Sequence, residues 1–234
     1  MSSTPITEAP PPENPFASAT SFRKRATLLA IFFGVFGSIL QSGTLSTMLP
    51  MAAAEIGGAD YYSLASTLGA PISIAAMPLW GYIAARSPHL TTPLFMISMG
   101  FGALAIIVRL LAPNMTAIIA AMFFWGLVSP GIFVVGYALI RDMYDPKKAG
   151  VYLGLCSTLM MAAMLIGPIG GGFLMTAFGW RLLNVVILPF IVAALVLALF
   201  GVKSTKDQTA HLAHAGGSFD FLGTIALTIG LGGL

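Results

Sequence analysis

Six long apolar stretches, separated by short polar or basic segments, make up most of the chain. Their approximate bounds are residues 26–50, 62–85, 92–112, 115–140, 150–178 and 182–202. Within each stretch the apolar residues are continuous and do not alternate with polar ones, which favours helices over β-strands. Each stretch is long enough to cross a bilayer, which needs about 20 apolar residues per helix. The pattern therefore predicts an all-α membrane protein with six transmembrane helices.

A further apolar stretch begins at Phe219 and runs to Leu234. As a helix, residues 219–234 would rise about 24 Å, less than the roughly 30 Å of a hydrocarbon core. The stretch ends in the sequence GLGGL, without a charged or aromatic residue to stop it. We therefore expect the start of a seventh helix in a truncated chain whose C-terminal half is missing.

The composition points to lipid as the surroundings of most of the chain. Apolar residues form 57% of the 234 residues, charged residues form only 8%, and the mean hydropathy is +0.92. A soluble core of this size cannot hide so many apolar side chains from water. The lipid bilayer is therefore the first predicted partner.

Basic residues are distributed unevenly over the predicted loops. With the N-terminus inside, only Arg109 and Arg181 fall on the outer side. The inner side then holds Arg23, Lys24, Arg25, Arg86, Arg141, Lys147, Lys148, Lys203 and Lys206. This excess predicts a multi-pass protein of the inner (plasma) membrane with a cytoplasmic N-terminus. It also accounts for the net charge of +3, so we predict no nucleic-acid partner.

Composition divides the chain into four parts. Residues 1–25 are rich in Pro, Ser and Thr and predict a disordered cytoplasmic tail. A cleaved secretory signal is the alternative, but the basic group comes late and the following apolar run is too long. Residues 26–202 form the predicted bundle, 203–218 a cytoplasmic linker, and 219–234 the incomplete seventh helix.

Catalytic and metal-binding chemistry find little support in the sequence. His89, His211 and His214 all fall in predicted loops, and the first six spans contain no Asp or Glu. Nucleophilic catalysis or a metal site at bilayer depth needs such groups close together. We therefore predict that the protein is not an enzyme and has no cofactor or metal.

A few polar, aromatic and Met residues at helix depth are candidates for a substrate cavity. They are Gln41, Thr44, Trp125, Tyr137, Met160 and Met164. Gln41 and Thr44 share one face of the first helix, while the Met pair offers an adaptable apolar surface. Packing between helices is the alternative role for each of these side chains, and the sequence leaves both open.

A Gly-Pro cluster punctuates the fifth span, where residues 164–172 read MLIGPIGGG. Such a cluster bends a helix and lets a neighbouring helix approach its backbone closely. Gly167, Pro168, Gly171 and Gly172, preceded by Ala163, resemble the antiporter motif of 14-helix drug:proton antiporters. The chain from about residue 25 onward thus resembles the N-terminal half of a major facilitator superfamily transporter.

This resemblance implies a cytoplasmic latch formed by Gly81, Arg86 and Asp142, which operates during alternating access. Ala85 stands where the superfamily has an acidic residue, so a purely topological role for Arg86 stays open. Gln41 stands where these antiporters commonly carry Asp. Since glutamine does not titrate, the chain shows no proton carrier at membrane depth, and proton coupling is left open.

The resemblance implies a secondary transporter, and the apolar candidate cavity favours efflux of lipophilic or amphipathic small molecules, neutral or cationic. An importer of another solute is one alternative. The other is a protein that transports nothing, either a truncated remnant or a membrane scaffold.

Overall fold

The computed structural model describes residues 19–201. In this part of the chain six helices are long and apolar enough to cross a membrane. They are α1 (Ser21–Ile56), α2 (Ala59–Arg86), α3 (Thr91–Leu110), α4 (Met115–Met143), α5 (Pro146–Phe178) and α6 (Trp180–Phe200). The predicted all-α class with six spans is confirmed. The predicted linker 203–218 and seventh helix 219–234 lie outside the described residues, as do residues 1–18.

The first helix is longer at both ends than its hydropathy indicated. It begins at Ser21, so residues 21–25 belong to α1 and not to the predicted tail, and it ends at Ile56. Hydropathy detects only the part of a helix that lies in hydrocarbon. The basic turn at Arg23–Arg25 and the turn containing Glu55 continue the helix into the more polar zones on either side.

Two of the six helices are irregular along their length. α2 consists of the segments Ala59–Tyr61, Tyr62–Thr67 and Gly69–Arg86, and the short 3-10 turn Pro88–Leu90 joins it to α3. α4 consists of the segments Met115–Gly126, Val128–Pro130, Gly131–Gly136 and Tyr137–Met143. The segment Gly131–Gly136 is a π-helical turn that directly follows Pro130. Pro removes a backbone donor, and such wide turns often accompany functional sites.

Glycine ends two helices where the chain must reverse direction tightly. Gly57 follows α1 with φ 73°, and Gly179, with φ 81°, is the single residue between α5 and α6. Positive φ values suit glycine because it lacks a Cβ atom. At the start of α4, the Asn114 side chain accepts a hydrogen bond of 3.0 Å from the Ala117 amide and caps the helix.

The helices are buried to very different extents. In their most apolar windows, half or more of the residues of α1, α3 and α4 are buried, against 6% in α2 and 17% in α5. α1 packs against both α5 and α6, and α3 packs between α4 and α6. The core therefore lies among α1, α3, α4 and α6, and α2 and α5 cover it from outside.

One end of the bundle, opposite the start of α1, is held by a polar cluster that we call the distal clamp. Glu55 accepts a hydrogen bond of 2.8 Å from the Trp180 indole and forms an ion pair with Arg181. Arg181 also donates to the Ala112 carbonyl at 3.3 Å, and its guanidinium lies 4.4 Å from the centre of the Trp180 ring. The clamp ties α1 to α6 and to the α3–α4 turn.

Candidate functional site

The Gly-Pro cluster of α5 lies directly against α1. A methyl group placed on Gly167 would lie 3.2 Å from the Leu40 carbonyl oxygen and 3.3 Å from the Gly43 Cα atom. Both neighbours are backbone atoms, which cannot rotate away. One placed on Gly43 would in turn lie 3.3 Å from Pro168 Cδ. The two helices therefore meet backbone to backbone, as small residues at helix crossings in membranes allow.

The two remaining motif glycines have different surroundings. At Gly171 an added methyl group would lie 2.7 Å from Thr44 Cγ2, whereas at Gly172 no heavy atom lies within 4 Å. The predicted motif residues thus divide into three that contact α1, namely Gly167, Pro168 and Gly171, and one that faces open space. The expected close helix approach is observed, and the role of the motif in transport stays a prediction.

Gln41 and Thr44 lie on α1 beside this contact. Both are buried, each with 1% of its surface exposed. The Thr44 hydroxyl donates to the Gln41 backbone carbonyl at 2.9 Å, but the Gln41 side-chain amide has no hydrogen-bond partner among the described residues. A buried polar group without a partner costs about 1–3 kcal/mol. Such a group is available for a hydrogen bond that this arrangement does not supply.

Tyr137 and Met160 meet between α4 and α5. The Tyr137 hydroxyl lies 3.5 Å from the Met160 sulfur, and Phe133 packs edge-on against the Tyr137 ring with centroids 5.6 Å apart. Met164, one turn further along α5, is 68% exposed. The predicted cavity residues therefore lie at separate helix contacts, with Met164 on the open surface of α5.

Trp125 packs on Arg109, one of the two basic residues predicted on the outer side. The Arg109 guanidinium lies 5.1 Å from the centre of the Trp125 ring, a cation–π contact between α3 and α4. Arg109 has no exposed surface, and none of its side-chain nitrogens has a hydrogen-bond partner in the described part of the chain. Helical side chains point back toward the helix start, so a residue in the last turn of α3 projects into the bundle.

A signal for Arg109 was present in the sequence. The residue falls inside the predicted span 92–112 and lies seven residues after Gly102, on the same helix face. A methyl group on Gly102 would lie 3.8 Å from the Trp125 ring and 3.2 Å from Val128. Because Gly102 has no side chain, the Trp125 ring can pack against α3 at this point and contact Arg109. An ionisable residue inside a span is a candidate functional group.

A hydrogen-bonded pair, Trp80 of α2 and Ser98 of α3, lies next to the π-helical turn of α4. The Trp80 indole donates a hydrogen bond of 2.8 Å to the Ser98 hydroxyl, which itself donates to the Leu94 carbonyl at 3.0 Å. Ser98 faces Gly131, where a methyl group would lie only 2.1 Å from the Ser98 Cβ atom. Glycine is therefore required at the start of this turn, and the pair links α2 to α3 there.

The predicted cytoplasmic latch is only partly assembled. Gly81 and Asp142 line one cavity of about 270 Å3 at the end of the bundle where α1 begins. Arg86 does not reach Asp142; it donates a hydrogen bond of 3.1 Å to the Tyr82 hydroxyl, and its guanidinium lies 5.9 Å from the centre of that ring. In the stretch from residue 19 to 201, the one ion pair joins Arg181 and Glu55.

The described residues thus form a bundle of membrane-length helices, with a glycine contact between α1 and α5 and buried polar groups beside it. The sequence profile of the Major Facilitator Superfamily matches residues 31–228. The chain belongs to this superfamily, and the resemblance found in the sequence is confirmed.

Several proteins with efflux or drug-resistance names are similar to this chain in sequence. The chain is 27% identical over 215 residues to "Efflux pump dotC" of Dothistroma septosporum. The matched stretch covers 87% of this chain and 36% of the relative. The chain is 25% identical over 207 residues to the "Probable multidrug resistance protein EmrY" of Escherichia coli, covering 88% and 39%. With the "Multidrug resistance protein B homolog" of Mycobacterium tuberculosis it shares 28% identity over 174 residues, covering 70% and 31%. The chain thus spans less than two fifths of the length of these relatives.

Proposed function

We propose that the chain is part of a secondary transporter that exports lipophilic or amphipathic small molecules by alternating access. The contact of Gly167 and Gly171 with α1, beside the unpaired amide of Gln41, carries this proposal. At Gly167 the contact is made by backbone atoms, and only short side chains such as Thr44 and Pro168 flank it, so the two helices can change their tilt with little repacking of large side chains. The names of the relatives support efflux as the direction.

The remainder of a longer protein is the proposed partner of the outer helices. α2 and α5 are the least buried helices of the described part, and the chain covers only 31–39% of the relatives described above. A second group of helices would cover α2 and α5 and close a substrate path near the bilayer midplane. Gln41, Tyr137, Met160 and Met164 are the proposed contributions of this chain, and Gly81, Arg86 and Asp142 form the proposed latch.

The Trp125 ring is less suited to direct substrate contact, because the Arg109 guanidinium lies over it. The buried positive charge of Arg109 also disfavours cations nearby. We therefore favour neutral amphipathic substrates over cationic ones. Paired efflux measurements with a neutral and a cationic dye of similar size test this preference.

The decisive experiment compares two glycines of the same motif. The complete gene product is expressed in cells loaded with a lipophilic dye, and energised efflux is followed for Gly167→Leu and Gly172→Leu. Since Gly167 meets backbone atoms of this chain and Gly172 meets none, we expect at least a tenfold loss of efflux in the first variant. The loss in the second variant should be smaller, because a leucine side chain at position 172 would meet only the second group of helices that covers α5. Membrane insertion of both variants is checked by their amounts in purified membranes.

Other outcomes favour the alternatives. Energised dye accumulation would favour an importer, and inserted protein without transport in any variant would favour a remnant or scaffold. Efflux at the wild-type rate in both leucine variants would refute a role for the motif. The orientation with a cytoplasmic N-terminus is tested by protease access to an N-terminal tag.

Proton coupling stays a separate proposal. In the described residues the carboxylates lie at helix ends or in turns, as Glu55, Asp60, Asp142 and Asp145 do, while Gln41 occupies mid-helix. A proton carrier at membrane depth would therefore come from other parts of the protein. Collapsing the pH gradient and the membrane potential separately during dye efflux tells which one drives transport.

A further inference from the structure

A basic cleft of about 570 Å3 opens at the end of the bundle where α1 begins. Lys24 and Arg25 of α1 and Lys148 of α5 line it, together with Asp145 before α5 and Tyr144 of the α4–α5 turn. Its size falls within the roughly 300–1,000 Å3 typical of small-ligand sites. Three cations against one carboxylate make it a cleft for an anion.

Among residues 19–201, no carboxylate forms an ion pair with the cations of this basic cleft. Two long helices, α1 and α5, also begin at the cleft, and neither has a side-chain cap or an acidic residue in its first turn. Asp145, the N-cap residue of α5, is the one carboxylate that the described residues place at these two helix starts. Their free amide groups add positive potential to that of the side chains.

Aromatic hydroxyl groups complete the polar lining. Tyr144 and Tyr152 pack together with ring centroids 4.6 Å apart, and both line the basic cleft. Burial is the main cause that raises the pKa of Tyr144 above its usual value, and the neighbouring Tyr152 adds to this rise. Arg25 partly offsets the rise in this pKa. The Tyr144 phenol therefore keeps its proton and can donate a hydrogen bond to an anionic oxygen.

A separate apolar groove of about 260 Å3 lies further along α1 and α5, closer to the bilayer centre than the basic cleft. Leu29, Phe32 and Phe36 of α1 and Leu159 of α5 line it, with Phe190 of α6 at its side. Leu29 lies one turn below Arg25, and Leu159 lies two turns below Tyr152, on the same helix faces. The groove thus reaches from about 6 Å to about 16 Å below Arg25.

We propose that the basic cleft and the apolar groove together bind one anionic phospholipid. The phosphate lies among Lys24, Arg25 and Lys148, and one acyl chain follows the groove past Leu29 to Phe36. A soluble phosphate compound would use only the cleft and leave the apolar groove unexplained. Membrane depth supports the lipid as well, since the cleft lies at the ends of three spanning helices, where headgroups are found.

The test compares two charge-matched double variants of the full chain in nanodiscs. Arg25→Gln/Lys148→Gln removes two cations that line the cleft, and Arg23→Gln/Lys147→Gln removes two neighbouring cations that do not. Binding of labelled phosphatidylglycerol is titrated against a phosphatidylcholine background. Both variants lose the general attraction between basic residues and an anionic surface. The cleft variant also loses two direct contacts with the phosphate, each worth about fivefold in affinity, so it should bind about 25-fold more weakly than the control.

Two further arms distinguish the lipid from a free anion. Leu159→Trp fills the groove and should weaken phosphatidylglycerol binding, and glycerol phosphate, which has the headgroup but no acyl chains, should compete only weakly. Thermal unfolding of each variant establishes that it is folded. If Arg25→Gln/Lys148→Gln does not fold, the single variant Lys148→Gln, at an exposed residue, replaces it. Equal losses in both double variants would overturn the proposal, since they would show only a general surface potential. Full competition by glycerol phosphate would overturn the lipid as the ligand.

Discussion

Adding a methyl group at Gly171 measures directly how tightly α1 and α5 are packed. In the structure this group would lie 2.7 Å from Thr44 Cγ2 and 3.3 Å from Thr44 Cβ. Optimal carbon–carbon contacts are about 3.5–4.0 Å, so the helices must separate or Thr44 must turn. Turning is hindered because the Thr44 hydroxyl is hydrogen-bonded to Gln41 at 2.9 Å. Overpacking of this kind costs about 1–3 kcal/mol.

Gly172→Ala provides the matched control for Gly171→Ala. Both substitutions give the same gain of up to about 1 kcal/mol in helix propensity, because both residues lie inside α5. At Gly172 the new methyl group meets no atom within 4 Å. The difference between the two variants therefore isolates the contact with α1, and we expect Gly171→Ala to be the less stable by about 1–3 kcal/mol.

Thr44→Ser identifies the clashing atom. The substitution removes Cγ2 and keeps the hydroxyl that donates to Gln41, so it makes room for the methyl group of Gly171→Ala. In a double-mutant cycle we expect a favourable coupling of about 1 kcal/mol or more between the two substitutions. Reversible unfolding in mixed detergent micelles, followed by circular dichroism, gives the four free energies. Equal stability of Gly171→Ala and Gly172→Ala, or no rescue by Thr44→Ser, would refute the close contact.

Three other substitutions test polar groups of the bundle by the same unfolding measurement. Arg109→Met should stabilise the protein by about 1–4 kcal/mol, because it replaces a buried cation whose nitrogens have no hydrogen-bond partner among residues 19–201 and which has only a cation–π contact with Trp125. The exposed Arg141→Met should change little, and a destabilised Arg109→Met would show that the cation–π contact outweighs the cost of burial. Ser98→Ala should cost about 1–3 kcal/mol because the Trp80 indole loses its acceptor, and adding Trp80→Phe should recover most of this loss unless packing dominates. Glu55→Gln should destabilise only at low salt, and a loss that persists in about 1 M salt would contradict an exposed ion pair.

The positions of the helices could be predicted from the sequence because hydropathy reports directly on the bilayer. The predicted span 115–140 corresponds to Met115–Met143, and 92–112 corresponds to Thr91–Leu110. The ends of α1 were harder to predict, since polar residues at Arg23–Arg25 and Glu55 continue the helix beyond its apolar part, and the contacts of Glu55 with Trp180 and Arg181 are not visible in the sequence. Helix propensity outside the hydrocarbon core leaves no trace in hydropathy.

Partners across helices could not be predicted from one sequence. Gly167 and Gly171 indicated that some helix approaches α5, but not that it is α1 at Leu40, Gly43 and Thr44. The same limit applies to Arg109, whose contact with Trp125 depends on the rotation of both helices about their axes. A periodic pattern gives the face of a helix, and only the packed structure shows which surface that face meets.

The two sides of α5 should respond differently to substitution. Its bundle side is held to α1 by glycines, while Met161, Ile169 and Phe173 are 70%, 75% and 72% exposed. Shortening an exposed side chain removes no packing within the chain, so Ile169→Ala should leave its free energy of unfolding within about 0.5 kcal/mol of the wild type. If the rest of a longer protein covers this surface, the same substitution should weaken transport or stability only in the complete protein. A loss of stability in the present chain would instead mean that Ile169 packs within the chain itself.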